Sequence, residues 1–108
     1  MQIVGRRCAL LGKVALGNLE IDMADHTVKI QNFSYDPASL AIEAGDTVTW
    51  QNLDDMAHTA TRTADPMFDT GLIRPGQQSD AATINWAPGT YDYACRPHPF
   101  MSGKLVVA

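Results

Sequence analysis

The sequence predicts an all-β domain, folded as a sandwich of two sheets or as a barrel. Short stretches of alternating apolar and polar residues recur along the chain, and turn signals such as Gly45-Asp46, Pro75-Gly76 and Pro88-Gly89 separate them. Alternation with a period of two indicates half-buried strands, and short strands at this spacing are typical of sandwiches and barrels. The 108 residues suffice for one core and are too few for two ordinary domains.

The predicted strands follow one another from residue 27 onwards. HTVKIQNFSY places Val28, Ile30 and Phe33 in one alternating strand, and SLAIEAGDTVTWQN forms two strands around a Gly-Asp turn. AHTATRTA is a short Thr-rich strand, QSDAATINW and GTYDYAC flank the turn at Pro88-Gly89, and GKLVVA closes the chain. Two prolines and two glycines in residues 64–78 predict an outer loop.

Residues 1–26 are predicted to be an N-terminal extension, and residues 27–108 the domain itself. VALGNLEIDM alternates apolar and polar residues, which predicts an additional edge strand. Arg6-Arg7 precedes an apolar stretch, as in an export signal, so a remnant of a targeting segment is the alternative. Lys13 interrupts that stretch, and both interpretations stay open.

Composition disfavours some classes of partner. The formal net charge of −4 argues against nucleic acid and against an anionic membrane surface. No apolar run approaches the length needed to cross a bilayer. A disulfide between Cys8 and Cys95 is possible by number alone, but the neighbours of Cys95 favour a different use. Cys8 is then expected to be an unpaired, small apolar residue.

The segment YACRPHPFMSGK places a thiol, an imidazole and a thioether within seven positions, at Cys95, His98 and Met101. Pro97 and Pro99 exclude a helix here, so the three side chains lie on a loop. Two prolines leave such a loop little conformational entropy to lose, which suits a metal site. Two histidines and a cysteine with a weak methionine ligand are typical of blue copper, whereas methionine is a poor ligand for zinc.

This ligand pattern requires a second histidine, and His26 and His58 are the remaining candidates. His58 begins a strand, and a sandwich can bring a strand start of this kind beside the late loop. His26 precedes the first clear strand and is predicted to be a surface residue. His58 is therefore the predicted second imidazole.

The segments GDTVTWQN, MAHTA and GTYDYACRPHPFMSGKLVV resemble the cupredoxins, the type 1 blue copper proteins, over about residues 27–108. The Cys-x-x-His-x-x-Met loop with PHPFM is most similar to amicyanin, and pseudoazurin and plastocyanin are more distant. The resemblance implies a cupredoxin-type Greek-key β-sandwich of two sheets that holds one copper ion. It implies metal ligands at His58, Cys95, His98 and Met101, and a hydrogen bond from the backbone N–H of Thr59 to the thiolate.

The chain departs from the amicyanin pattern next to the ligands. Amicyanins typically have proline before the first histidine and asparagine after it, where this chain has Ala57 and Thr59. Arg96 follows Cys95 in place of a small polar residue. These changes bear on the side-chain link between the two ligand loops, on the reduction potential and on the local charge.

The resemblance also implies a function: a small protein that cycles copper between Cu(II) and Cu(I) and is not an enzyme. Its partners would be redox proteins of the dehydrogenase, cytochrome or reductase type, met by a monomer in the periplasm. Transient redox interfaces are small, and an exposed apolar patch marks such a surface. The predicted docking and electron-exit residues are His98, Met56, Pro97, Pro99 and Phe100.

Two alternatives come from other classes of protein. The first is a copper-binding module that stores or delivers Cu(I) without redox turnover. A single site, without Met-rich repeats or a Cys-x-x-Cys motif, favours the electron carrier over this module. The second is a plain immunoglobulin-like interaction domain in which the His and Met positions are coincidental.

Overall fold

The computed structural model describes residues 13–16, 19–22 and 24–108. Within these ranges the chain consists of strands and connecting loops, and no helix there is long and apolar enough to span a membrane. The strands are β1 (Lys13–Leu16), β2 (Leu19–Asp22), β3 (Asp25–Gln31), β4 (Ser34–Asp36), β5 (Ser39–Ile42), β6 (Asp46–Asn52), β7 (Thr61–Arg62), β8 (Phe68–Asp69), β9 (Ala82–Ile84), β10 (Gly89–Ala94) and β11 (Ser102–Val107).

Two mixed sheets form the sandwich. One has the strand order β5-β11-β10-β7-β8 and the other has the order β4-β3-β6-β9. The pairs β5/β11 and β3/β6 are parallel, and the remaining pairs in both sheets are antiparallel. The all-β, two-sheet prediction is confirmed.

Period-two alternation places the core between the sheets. In β6, Val48 and Trp50 are fully buried while Thr49 between them is half-buried, and β11 alternates in a similar way. Burial of one large apolar side chain contributes about 1.5–3 kcal/mol, so these two strands supply much of the stabilisation. The indole N–H of Trp50 donates to the hydroxyl of Tyr93, which joins the two sheets at 3.2 Å.

The strands before residue 24 pair with each other. β1 and β2 form a two-stranded antiparallel sheet of their own. The division of the chain into an extension and a domain at residue 26 stays a prediction. The proposed targeting remnant, Cys8 and Met23 lie outside the described residues.

The segment 64–78 is not simply an outer loop, as the sequence suggested. It contains β8, whose Phe68 packs against the core, and its Ile73 is 3% exposed. Ile73 also exchanges two backbone hydrogen bonds with His58, of 2.8 and 3.2 Å. The prolines and glycines correctly indicated turns, but the two apolar side chains draw parts of the segment into the sandwich.

His26 is half-buried rather than a surface residue. It lies in β3, beside the start of β6, and its Nε2 is 2.9 Å from a carboxylate oxygen of the buried Asp46. That carboxylate also accepts hydrogen bonds from the backbone N–H groups of Ala24 and Glu43. His26 does not belong to the group of potential metal ligands formed by His58, Cys95 and His98.

A two-residue turn connects β3 and β4. Gln31 pairs with Ser34, so Asn32 and Phe33 form the loop, and both have a φ of 56°. Positive φ at both positions is the geometry of a type I′ hairpin, which suits asparagine and is unusual for phenylalanine. Phe33 therefore leaves the alternation predicted for it and is 37% exposed.

Candidate metal centre

Three potential metal ligands converge at one end of the sandwich. The Nδ1 atoms of His58 and His98 are 3.2 Å apart, and the Sγ of Cys95 lies 3.6 Å from each of them. His58 and Cys95 are buried, and His98 is half-buried. The three residues come from two distant parts of the chain, as the sequence predicted they would.

Backbone hydrogen bonds fix the loop that bears two of these side chains. Cys95 directly follows β10, and Met101 directly precedes β11. The N–H of Met101 donates to the carbonyl of His98 at 2.9 Å, and the N–H of Cys95 donates to the carbonyl of Met101 at 3.2 Å. Met101 is 2% exposed. The loop therefore holds its thiol and imidazole at a fixed spacing, with the buried thioether beside them in the chain.

Asp54 sets the orientation of the His58 ring. Its Oδ2 is 2.9 Å from Nε2 of His58, whose side chain is fully buried. A carboxylate accepts a hydrogen here, so Nε2 carries the proton and Nδ1 presents its lone pair to the cluster. Burial alone raises the pKa of Asp54, but hydrogen bonds from the N–H groups of Phe33 and Asn32, together with His58, lower that pKa below its usual value.

The backbone beside His58 approaches the thiol. The N–H of Thr59 points at Sγ of Cys95 with a separation of 3.4 Å, which is the arrangement that the family resemblance implies. The hydroxyl of Tyr35 donates to the carbonyl of the same threonine. Burial, with Cys95 and Tyr93 close by, raises the pKa of Tyr35 far above its usual value, so this hydroxyl stays a donor.

A hydrogen-bonded chain links the two ligand loops, although the asparagine of the amicyanin pattern is absent. The N–H of Arg96 donates to Oγ1 of Thr59, which contacts Oγ1 of Thr61, both at 2.9 Å. Thr61 donates to Asp69, so its single hydroxyl hydrogen is used and Thr59 donates to it. The guanidinium of Arg96 binds the other oxygen of Asp69 at 3.0 Å, which closes the chain into a ring.

Aromatic rings cover the imidazoles. The ring of Phe33 stands edge-on to His58 and to His98, with centroids 5.1 and 5.0 Å away, and it stacks on Phe100 at 6.1 Å. Phe100 is 71% exposed, and Met56, Pro97 and Pro99 are exposed as well. The predicted docking residues thus lie on the surface, and Phe33 joins them.

The cluster has the dimensions and the chemistry of a metal site. A metal bound by three donors in a plane, at about 2.0 Å from nitrogen and about 2.3 Å from sulfur, separates them by about 3.5 Å (N to N) and about 3.7 Å (N to S). The separations here are 3.2 and 3.6 Å. Lone pairs this close repel one another unless a proton or a cation lies between them. Two imidazoles, one thiol and a methionine in the same loop match type 1 copper.

The sequence profile of the copper-binding proteins of the plastocyanin/azurin family matches residues 23–108. The chain belongs to this family. Copper is therefore its cofactor, and the cupredoxin-type Greek-key fold is confirmed together with the resemblance to the cupredoxins.

Individual relatives agree with this family assignment. Amicyanin-alpha of Methylorubrum extorquens is 39% identical over 83 residues, which are 74% of this chain and 69% of the relative. Amicyanin of Paracoccus denitrificans is 41% identical over 83 residues, which are 74% of this chain and 63% of that one. A reduced Cu(I) form of an amicyanin mutant at pH 4 superposes with a TM-score of 0.70 and 33% identity, over 88% of this chain and 86% of the other.

Sequence reasoning missed two residues of the site. No local feature of the sequence distinguishes Asp54 from a solvated turn residue, and the alternation around Phe33 predicts a strand. One signal was available: Asn32, a residue that tolerates positive φ, stands between two strand-like segments and marks a two-residue hairpin. The approach of Asp54 to that hairpin is a tertiary contact between residues 21 and 22 positions apart, for which the sequence gives no local signal.

Proposed function

We propose that this protein is a small blue copper electron carrier, with His58, Cys95 and His98 as the main copper ligands and Met101 as a weak fourth. The convergence of the two Nδ1 atoms and Sγ within 3.6 Å of one another carries the proposal. Bound copper supplies a reversible one-electron exchange between Cu(II) and Cu(I).

The chain's own contribution is a rigid donor set. His58 is held by Asp54 on one side and by two backbone hydrogen bonds to Ile73 on the other. Cys95 receives the N–H of Thr59, which stabilises a thiolate there. Because these contacts do not depend on the metal, the ligands need little rearrangement when the charge of the site changes. Low rearrangement favours rapid electron exchange, and by resemblance to the family the protein would be a carrier and not itself an enzyme.

The exposed surface around His98 is the proposed docking site and electron exit. His98 is the half-buried member of the donor set, and its neighbours Pro97, Pro99 and Phe100 are exposed. Met56, two residues before His58, is 49% exposed. Such a surface suits brief contact with a redox protein of the dehydrogenase, cytochrome or reductase type. From the family resemblance we also propose a monomer in the periplasm, which size measurement and cell fractionation test.

Storage or delivery of Cu(I) is the competing function. The burial of His58 and Cys95 argues against it, because transfer of a metal to another protein requires that ligands exchange at an accessible site. Reversible oxidation and reduction without loss of copper distinguishes the carrier from the delivery module.

Titration with Cu(II), followed by visible absorption, tests the proposal. We expect an intense blue band from charge transfer between the thiolate and copper, saturating at one equivalent. Cys95→Ser abolishes the band, and the matched control Cys8→Ser retains it. Tight binding of Cu(I) without colour supports delivery, and no uptake of either ion supports a plain interaction domain.

A further inference from the structure

The carboxylate of Asp54 joins His58, four residues further along the chain, to the Asn32-Phe33 turn, which lies 21 to 22 residues before it. Its Oδ2 is 2.9 Å from Nε2 of His58 and accepts the N–H of Phe33 at 2.9 Å, while Oδ1 accepts the N–H of Asn32 at 2.6 Å. The Asp54 side chain is 11% exposed; its contact with His58 is partly buried, whereas its contacts with the turn lie at the surface. One side chain therefore contacts both a metal-binding imidazole and a hairpin turn.

The contact with the turn is structurally demanding. Phe33 adopts a left-handed backbone that residues with a side chain seldom populate, and strained residues of this kind persist where their surroundings hold them. The backbone N–H groups of Asn32 and Phe33, which both donate to the carboxylate of Asp54, stabilise this backbone conformation. The result is a Phe33 ring placed edge-on over both His58 and His98.

The contact with His58 determines which nitrogen faces the donor cluster. A carboxylate that accepts the second N–H of a metal-binding imidazole fixes the tautomer and the ring orientation and raises the basicity of the ligand. Greater basicity stabilises the more highly charged ion, so this contact favours Cu(II) over Cu(I).

We propose that Asp54 is a positioning residue of the copper site, which holds the His58 ring and the Phe33 cover through a single carboxylate. The inference rests on the proposed copper-binding function. It assigns to Asp54 a link between the β3–β4 turn and the ligands that is separate from the loop link made by Thr59.

Asp54→Ala and Asp55→Ala form a matched pair for the test. Both remove one negative charge near the site, but Asp55 is exposed and makes no hydrogen bond with any residue that the structure describes. Relative to Asp55→Ala, we expect Asp54→Ala to lower the Cu(II) affinity by about 10- to 100-fold. A tenfold greater loss for Cu(II) than for Cu(I) is a rise of about 59 mV in the reduction potential. Asp54→Asn keeps one acceptor oxygen, so its Cu(II) affinity and its reduction potential should lie between those of Asp54→Ala and Asp55→Ala.

Nuclear magnetic resonance adds readouts that a loss of stability alone would not produce. In the wild-type protein, measured with and without Cu(I), we expect a slowly exchanging Nε2–H resonance of His58 and cross-relaxation between the Phe33 ring and both imidazoles. Asp54→Ala should lose both signals while Asp55→Ala keeps them. If Asp54→Ala fails to fold, the Nε2–H resonance of His58 and the Phe33 cross-relaxation in the wild-type protein still test the inference.

Three outcomes overturn the inference: equal potentials in the two alanine variants, absence of the His58 resonance from the wild-type protein, or loss of only one of the two signals in Asp54→Ala. A wild-type protein that gives no blue colour with copper refutes the proposed function instead. The His58 and Phe33 signals of the metal-free protein then test the positioning role independently.

Discussion

Replacement of Thr59 by valine tests the link between the two ligand loops. Valine keeps the shape of threonine but removes the hydroxyl that accepts the N–H of Arg96 and donates to Thr61, each at 2.9 Å. A net contribution of about 1 kcal/mol for each bond gives an expected loss of about 2 kcal/mol in the free energy of unfolding. For a domain of this size, such a loss lowers Tm by about 10 °C.

Urea unfolding and thermal scans of the metal-free protein provide the assay, since bound copper would add its own stabilisation. Thr59→Ser is the matched control, because it keeps the hydroxyl and loses only the methyl group. We expect Thr59→Ser to retain most of the wild-type stability. The reasoning is refuted if Thr59→Val is as stable as the wild type, or if Thr59→Ser loses as much as Thr59→Val, because the position would then respond to any change of shape and not to loss of the hydroxyl.

Three further predictions concern packing, pH and docking. A Cβ on Gly103 would lie 2.5 Å from the Tyr93 ring, so Gly103→Ala should cost about 1–3 kcal/mol in chemical unfolding while Ser102→Ala is nearly neutral. Burial raises the pKa of Tyr93 from 10.0 to about 12, so the free energy of unfolding should be constant below pH 10 and decrease as the pH rises from 10 to 12. Tyr93→Phe should make that decrease smaller. Phe100→Lys should slow electron self-exchange, measured by line broadening in mixed Cu(I)/Cu(II) samples, by about tenfold or more through like-charge repulsion, whereas Thr90→Lys should leave the rate unchanged.

The sandwich could be predicted because its strands alternate regularly. In β6 and β11 every second residue is buried, and this period-two pattern is written in the sequence. The irregular segment 64–78 was harder, because turn residues and buried apolar residues are mixed within it. Ile73 is buried there because it pairs with His58, and that pairing depends on the folded arrangement of both segments.

The donor set was predictable for a different reason. Cys95, His98 and Met101 occupy a short loop, and the chain contains two other histidines from which to complete the set. The residues that surround the donors were harder to predict from the sequence. The contacts of Asp54 with the β3–β4 turn and of Arg96 with Thr59 join residues 21 to 37 positions apart, and they appear only when the sheets are assembled.

The link between Arg96 and Thr59 joins the two ligand loops through a threonine hydroxyl. The amicyanin pattern uses an asparagine after the first histidine, and the shorter threonine still reaches the backbone of Arg96 here. Asp69 completes the chain from the β7–β8 hairpin and also holds the guanidinium, which lies largely in solvent. A surface ion pair of this kind contributes little stability, so the buried hydroxyls carry most of the link.

An anomalous-difference map from crystals loaded with one equivalent of copper tests the central claim most directly. The account predicts one strong copper peak within bonding distance of Nδ1 of His58, Nδ1 of His98 and Sγ of Cys95. It also predicts that Nε2 of His58 keeps its hydrogen bond to the carboxylate of Asp54. A peak elsewhere, or copper bound without the sulfur of Cys95, would contradict it.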